Sequence, residues 1–176
     1  MSLINHLILF TIKILKMKKI IILLAFVFSL SSCHSQEKKT EKTIPKYKVS
    51  KTDAQWKAEL TPEQYRVLRN KGTEASFSGE YWNHFEKGYY ACAAYNNPLF
   101  TSDAKFNSEC GWPSFDQAIK GSVIYKTDSS FGMQRTEVMC TKCGGHLGHV
   151  FDDGPAETTG KRFCTNSVSI IFIPKK

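Results

Sequence analysis

Cys164 is the residue whose surroundings most favour chemistry, because it lies between a cation and an amide near the end of the chain. It belongs to the segment Arg162-Phe163-Cys164-Thr165-Asn166-Ser167, which is followed by the apolar run Val168–Ile173. This pattern predicts a thiol at the head of a buried β-strand. If the segment is extended, Arg162, Cys164 and Asn166 share one face, where the cation favours the nucleophilic thiolate. The alternative for such a residue taken alone is a small apolar cysteine packed in a core.

Two further segments hold groups that could act together with such a nucleophile. In Cys110-Gly111-Trp112-Pro113 a second thiol precedes a large aromatic, and the Gly and Pro favour a turn that presents the indole. The glycine-rich segment from Cys143 to Phe151 contains His146 and His149. Its glycines disfavour a helix, so these imidazoles are candidates for proton donors, metal ligands or surface residues.

Together with Arg135-Thr136-Glu137-Val138, these motifs resemble the methionine-R-sulfoxide reductases of the B type, the MsrB family. The resemblance covers roughly Asp53 to Ile173 and keeps the family's motif order. It implies thiol-dependent reduction of methionine-R-sulfoxide, free or in a peptide, and hence repair of oxidised proteins. It also implies that the chemistry requires no cofactor.

The resemblance further implies a role for each residue of the site. Cys164 attacks the sulfoxide and becomes a sulfenic acid, and Cys110 resolves it as a disulfide that a thioredoxin-like dithiol reduces. His149 acts most directly on a water or the sulfoxide oxygen, and Trp112 forms a wall for the substrate's methyl group. The expected catalytic set is Cys164, Cys110, His149, His146, Asn166 and Arg162.

A structural zinc is a separate question, since many members of the family hold one with two Cys-x-x-Cys pairs. Here Cys140 and Cys143 form a complete pair, whereas the other pair reads Cys92-Ala93-Ala94-Tyr95. Tyrosine is a poor zinc ligand, so one thiolate is missing. The alternatives are a weak three-thiolate site completed by water or His84, or no zinc, with Cys140 and Cys143 oxidised together or free. We expect no tightly held metal.

The beginning of the chain has the pattern of an export signal. Lys18-Lys19 precedes the apolar stretch Ile20–Leu30, whose eleven residues are fewer than the ~20 of a membrane-spanning helix. Leu30-Ser31-Ser32-Cys33 then resembles a bacterial lipobox, in which Cys33 receives the lipid. Residues 1–16 hold a second apolar stretch that a standard leader does not need, so we hypothesise that translation begins at Met17.

These patterns predict three parts of the chain: a lipoprotein signal peptide (1–32), a lipidated polar tether (33–51) and a reductase domain (52–176). The expected location is the bacterial cell envelope, with the lipid on the periplasmic side of a membrane. His34-Ser35 does not resemble an inner-membrane retention signal, which favours the outer membrane.

The net charge of +8 belongs to the leader and tether and not to the domain. From Thr52 onward there are 14 basic and 14 acidic residues. A neutral domain argues against a nucleic-acid partner. The expected partners are oxidised polypeptides, the dithiol reductant and, through the lipid, a membrane, and we expect a monomer.

Local signals predict a mainly β domain with a few short N-terminal helices. Thr61-Pro62-Glu63-Gln64 predicts a helix that begins with a capping box and ends at Gly72. Short runs rich in Tyr, Val, Ile and Phe, separated by turn residues, predict strands at Tyr89–Cys92, Ser122–Tyr125, Thr136–Met139 and Val168–Ile173. The family resemblance implies two antiparallel sheets in an open, twisted, barrel-like arrangement.

Two other functions compete with the reductase. One is a zinc-ribbon-like binding module, which Tyr95 in the ligand position and the neutral domain disfavour. The other is a general thiol-disulfide oxidoreductase, which usually presents Cys-x-x-Cys at a helix start, whereas Cys140 and Cys143 lie among strand and glycine patterns.

Overall fold

The computed structural model of the chain describes residues 47–175. The predicted signal peptide, the Met17 start and the lipidated Cys33 lie outside the described residues, as does most of the predicted tether. Among residues 47–175, no helix is both long and apolar enough to cross a membrane. Tyr47–Lys51, the end of the predicted tether, lies on the domain, where the Val49 amide donates to the carbonyl of Lys142 (3.0 Å).

Two short helices open the domain. α1 spans Asp53–Glu59 and α2 spans Pro62–Leu68, and each begins with a capping box, from Thr52 and Thr61 respectively. The predicted start of α2 is confirmed. Its predicted end at Gly72 is wrong, because the helix stops at Leu68 and Lys71 already has a left-handed backbone (φ 57°).

In the part of the chain that the structure describes, nine strands form two antiparallel sheets. The three-stranded sheet has the order β2-β1-β9, and its strands are β1 (Gly88–Cys92), β2 (Pro98–Thr101) and β9 (Ile170–Pro174). The six-stranded sheet has the order β3-β4-β8-β7-β6-β5, and its strands are β3 (Lys105–Phe106), β4 (Ser114–Phe115), β5 (Val123–Asp128), β6 (Arg135–Cys140), β7 (His146–Phe151) and β8 (Arg162–Thr165).

The prediction of a mainly β domain with two antiparallel sheets and short N-terminal helices is confirmed. Within residues 47–175 neither sheet closes on itself, since β3 and β5 remain at opposite edges of the larger sheet. The core lies between the sheets, where the rings of Phe100 on β2 and Phe115 on β4 stack 4.2 Å apart. Both rings are fully buried, and Tyr90 on β1 packs edge-on against Phe115.

The predicted strand Val168–Ile173 is wrong in its first part, and Cys164 does not lie at its head. Cys164 lies within β8, and a single 3₁₀ turn (Ser167–Ser169) separates it from β9 in the other sheet. The buried carboxylate of Glu74 causes this break, because it accepts hydrogen bonds from the amides of Ser167 (2.6 Å) and Val168 (3.1 Å). Those amides are therefore not available to a strand ladder.

Candidate active site

Cys164 lies at the centre of the larger sheet, between two strands that supply its neighbours. Its Cα is in register with Ser114 on β4 and with His149 on β7. Gly148 allows the close approach of β7, because a Cβ there would lie 2.0 Å from the carbonyl oxygen of Cys164. Any other residue at position 148 would push the two strands apart.

A cleft of roughly 500 Å³, open to solvent, reaches the half-buried Cys164. Trp112 and Phe151 give it apolar walls, and Arg135, His149 and other polar residues complete it. A cleft with aromatic walls and few polar groups suits a small, partly apolar ligand group. Cys164 is thus a cysteine at a binding surface and not one packed in a core.

Cys110 lies beside Cys164, in the loop between β3 and β4, and the two sulfurs are 3.9 Å apart. The Cys110 sulfur also lies 3.0 Å from the hydroxyl of Ser108 and 3.5 Å from that of Ser114. The loop needs Gly111 (φ +82°), since a Cβ there would meet the backbone nitrogen of Phe77 at 2.7 Å. A disulfide between Cys110 and Cys164 would need a sulfur displacement of about 2 Å.

The pKa values of the two thiols differ in direction. Burial, reinforced by the neighbouring Cys110, raises the pKa of Cys164 to about 12, and Arg162 only partly opposes this. Burial also acts to raise the pKa of Cys110, but hydrogen bonds from Ser108 and Ser114 outweigh it and leave that pKa below its usual value. Arg162 thus acts on the pKa of Cys164 in the expected direction, toward the thiolate, but burial outweighs it.

Arg162 has a second partner that explains why its influence on Cys164 is modest. Its guanidinium makes two hydrogen bonds to the carboxylate of Asp153 (2.9 and 2.7 Å) and lies over the ring of Phe151. The Asp153 charge neutralises much of the Arg162 charge. The pair also fixes Phe151, one wall of the cleft.

Of the two histidines in the glycine-rich segment, only His149 lines the cleft. Its Nε2 lies 2.7 Å from Oδ2 of Asp128, at the end of β5. Burial lowers the pKa of His149, and the hydrogen bond to Asp128 partly offsets that effect. Both histidines lie on strand β7 and not on a loop.

His146 is buried behind the cleft. Its Nδ1 donates to the buried carboxylate of Glu137 (2.9 Å), which also pairs with the ammonium of Lys71 (2.6 Å). The His146 ring centre lies 5.4 Å from that of His149. His146 therefore supports His149 by packing and does not itself reach the ligand space of the cleft.

Trp112 and Asn166 are both fixed by the segment around Glu74. The indole Nε1 of Trp112 donates to the carbonyl of Glu74 (3.2 Å) while the ring faces the cleft. The side-chain oxygen of Asn166 accepts from the Glu74 amide, and its nitrogen donates to the carbonyl of Leu147. Since both ends of this amide are engaged, Asn166 positions the backbone around Cys164.

A second group of sulfurs lies outside the cleft: Cys92, Cys140 and Cys143, here called the thiol trio. All three residues are buried, and their sulfurs lie within 4.8 Å of one another, with Cys92 and Cys143 at 3.7 Å. Two N–H groups point at sulfur, from Asn97 to Cys140 (3.5 Å) and from the Gly145 amide to Cys143 (3.4 Å).

The thiol trio is carried by two turns with the same backbone hydrogen bonds. In one turn the Cys92 amide donates to Asn97 and the Asn96 amide to the Cys92 carbonyl. In the other the Cys140 amide donates to Gly145 and the Gly144 amide to the Cys140 carbonyl. Tyr95 thus occupies the backbone position that corresponds to Cys143, but its side chain is 46% exposed.

His84, considered above as a fourth ligand, lies elsewhere. Its Nδ1 is 2.8 Å from the hydroxyl of Tyr90, and its ring packs against Phe172 at 4.3 Å. It is not among the residues that surround the thiol trio. In the described part of the chain, the trio alone brings three metal-ligating groups of this kind together.

The sequence did not single out several residues that shape the site. Arg135 and Glu137 belong to a motif that carried the family resemblance. Their charges, close in sequence to the histidine segment, could have indicated a role in the site. Asp128 and Glu74 gave no such signal, since each reaches its partner across the fold. Asp128 and His149 are 21 residues apart in sequence, and Glu74 and Ser167 are 93 apart.

Comparisons with known proteins agree with this site. The family model described as the SelR domain matches residues 60–174. Three similar curated proteins are each named "Peptide methionine sulfoxide reductase MsrB". That of Leptospira interrogans is 58% identical over 127 residues (72% of this chain, 96% of the relative). That of Thiobacillus denitrificans is 57% identical over 126 residues (71% and 95%), and that of Agrobacterium fabrum 56% over 128 (72% and 94%). The sequence-based assignment is confirmed: the chain belongs to the SelR family, the methionine sulfoxide reductases of the MsrB type.

Proposed function

We propose that the protein reduces methionine-R-sulfoxide, free or within a polypeptide, to methionine by thiol chemistry at Cys164. The observation that carries this proposal is a sulfur in an open, aromatic-walled cleft with a second sulfur 3.9 Å away. Membership of the family supports the substrate. The choice of the R epimer follows from the family, since each sulfoxide epimer has its own reductase.

In the first step the Cys164 sulfur attacks the sulfur of the sulfoxide. The oxygen moves to Cys164 as a sulfenic acid, methionine leaves, and two electrons pass from the thiol to the substrate. The thiol supplies both electrons, so the step needs no other reductant, and the proton that the thiol loses balances the proton that the oxygen gains. Trp112 and Phe151 receive the methyl group and its neighbouring methylene.

Because the pKa of Cys164 is raised, its thiol loses the proton only during the attack on a bound substrate. At neutral pH the free protein holds Cys164 as a thiol, because its pKa lies near 12. Attack requires the proton to leave the sulfur while another reaches the oxygen. His149, in register with Cys164 and on the wall of the cleft, is the group that donates toward the oxygen.

In the second step the Cys110 sulfur attacks the sulfenic acid on Cys164. The S–S bond forms, the S–O bond breaks, and the oxygen leaves as water. The lowered pKa of Cys110 favours the thiolate that this attack needs. A thioredoxin-like dithiol then exchanges with the disulfide and restores both thiols.

The experiment that tests this function supplies a peptide carrying both epimers of methionine sulfoxide, together with a dithiol reductant. We expect the R epimer to disappear and the S epimer to remain, as followed by chiral chromatography. Loss of the S epimer, or of neither, would refute the assignment. The same assay separates the reductase from a binding module or a general disulfide exchanger, because only the reductase consumes one epimer.

No step above uses a metal, and we propose that the domain holds no zinc tightly. The thiol trio supplies three of the four thiolates of a closed tetrahedral site, and neither Tyr95 nor His84 supplies the fourth. Any zinc would be bound by Cys92, Cys140 and Cys143, where it would add rigidity and no chemistry. Elemental analysis of the purified protein tests this, and a stoichiometric zinc content would contradict it.

We further propose that the protein is a lipoprotein of the cell envelope and repairs oxidised envelope proteins as a monomer. The basic n-region, the apolar run and the lipobox-like Leu30-Ser31-Ser32-Cys33 support the anchor. In cells fed a labelled fatty acid, the wild-type protein should carry the label and sediment with outer-membrane vesicles. The Cys33→Ala variant should carry none, and an unchanged label would refute lipidation at Cys33.

A further inference from the structure

Asp128 is a partly buried acid that directly contacts the proposed proton donor. Its side chain is 16% exposed and that of His149 13% exposed. Oδ2 of Asp128 lies 2.7 Å from Nε2 of His149 and 2.8 Å from the guanidinium of Arg135. The other oxygen, Oδ1, accepts from the Ser130 amide (3.0 Å). The carboxylate is thus held at both oxygens.

The sheet explains why this acid reaches a residue two strands away. On β5 and β6, Asp128 is in register with Arg135, while Glu137 on β6 is in register with His149 on β7. Since alternate residues of a strand share a face, Arg135 and Glu137 project to the same side. Asp128 therefore meets His149 diagonally across β6, and His149 is itself in register with Cys164.

The hydrogen bond fixes which nitrogen of His149 faces the substrate. The pKa of Asp128 is held well below its usual range by hydrogen bonds from Ser130 and His149, so the carboxylate is ionised and only accepts. Nε2 must then carry the proton that it donates to Asp128. Nδ1 is the ring nitrogen that remains for a substrate or a water.

We infer that Asp128 is a positioning residue of the reductase. It holds the His149 ring in one orientation and one tautomer, and its charge favours the imidazolium that donates toward the sulfoxide oxygen through Nδ1. Cys164, His149 and Asp128 thus form a nucleophile, proton carrier and carboxylate in series, the arrangement in which the acid acts through the histidine. The inference rests on the role proposed above for His149.

Asp128→Asn tests the inference through the rate of methionine formation in a single turnover without added reductant. We expect the rate at pH 7 to fall at least about tenfold, part of the ~10²–10⁴-fold that a positioned general acid contributes. In the pH profile of this rate, the range over which activity falls with rising pH (the alkaline limb) should also move to lower pH. The reason is that His149 loses its anion while Arg135 and His146 still disfavour its positive charge.

The matched control is Asp103→Asn, which removes an exposed carboxylate paired with Lys87 on the smaller sheet's side of the domain. It should leave both the rate and the pH profile unchanged. Asp128→Glu should recover part of the rate and move the limb back toward higher pH, which a purely structural role would not produce. An Asp128→Asn profile that coincides with those of the wild type and Asp103→Asn would overturn the inference.

A measurement on the unmodified protein covers the case in which the variant does not fold. Nitrogen chemical shifts of His149 report its tautomer, and we expect the proton of the neutral ring on Nε2. A proton on Nδ1 would overturn the inference even if the protein proved a fully active reductase. Conversely, absence of epimer-specific reduction would refute the proposed function and leave the tautomer result standing.

Discussion

The domain contains two groups of close sulfurs, and the protein uses them differently. Cys110 and Cys164 are 3.9 Å apart beside an open cleft, whereas Cys92 and Cys143 are 3.7 Å apart in the core. Distance does not distinguish the two groups. Access to solvent distinguishes them, since Cys110 and Cys164 are half-buried and the thiol trio is fully buried.

The supports of the two groups differ as well. Cys110 lies on a loop with left-handed Glu109 and Gly111 on either side, where a displacement of about 2 Å closes a disulfide. The thiol trio is held by two hydrogen-bonded turns whose N–H groups point at sulfur. Sulfur proximity therefore supports redox chemistry only where a substrate can enter and one sulfur can move.

The largest expected effect is the difference in methionine formation between Cys164→Ser, in the first group of sulfurs, and Cys143→Ser, in the second. The first variant should form no detectable methionine, because a hydroxyl is a far weaker nucleophile than a thiol. The second should keep the single-turnover rate while losing about 1–3 kcal/mol of stability, since a hydroxyl replaces a buried sulfur. Methionine release and thermal melts measure the two outcomes. Loss of the single turnover in a folded Cys143→Ser would remove the distinction between the groups.

Cys110→Ser should have the next largest effect. We expect one methionine per protein molecule and then almost no turnover with a thioredoxin, because the sulfenic acid on Cys164 has no thiol beside it. Ser108→Ala is the comparison, since it removes a hydrogen bond that lowers the pKa of Cys110 but keeps the thiol, and it should slow recycling without abolishing it. Full steady-state activity of Cys110→Ser with a protein dithiol would refute its role as the resolving residue.

Tyr95→Cys sharpens the comparison from the side of the thiol trio. The two turns share their backbone hydrogen bonds, so a cysteine at position 95 completes a four-thiolate set. We expect one zinc per chain and about 4 kcal/mol of added stability when free zinc is 1,000-fold above its Kd. Tyr95→Ser controls for loss of the ring and should bind no more zinc than the wild type. The same low zinc content in Tyr95→Cys would show that the turns do not converge on one point.

Local sequence predicted what depends on local contacts. The capping box from Thr61 to Gln64 determines where α2 begins, and both residues lie within one turn of the helix. The motifs around Cys110 and Cys164 likewise predicted the family, and Trp112, Cys164 and Asn166 from these motifs line the cleft. These patterns need no knowledge of distant neighbours.

What the sequence could not predict depends on contacts between distant residues. The break after Cys164 follows from Glu74, which lies 93 residues before Ser167. The proton-carrying nitrogen of His149 follows from Asp128, which only the pairing of β5, β6 and β7 brings near. The raised pKa of Cys164 follows from burial, which opposes the nearby Arg162 and is set by the packing of both sheets.

The smallest expected effect concerns the pKa of Cys164, on which burial and Arg162 act in opposite directions. Because the pKa of Cys164 is about 12, its alkylation in the free protein should rise about tenfold per pH unit from pH 7 to 10 without a plateau. Arg162 lowers this pKa, so Arg162→Gln should slow the reaction about threefold to tenfold at every pH in that range. Mass spectrometry of the Cys164 peptide measures the rate separately from Cys110.

Arg66→Gln is the matched control, because Arg66 pairs with Glu63 on an exposed helix and should leave the rate unchanged. An unchanged rate in Arg162→Gln would mean that Asp153 fully neutralises the guanidinium. Arg162 would then act on the cleft only by holding Phe151 in place. A plateau below pH 9 in the wild type would instead place the resting thiolate on Cys164, and the two groups of sulfurs would differ in charge as well as in access.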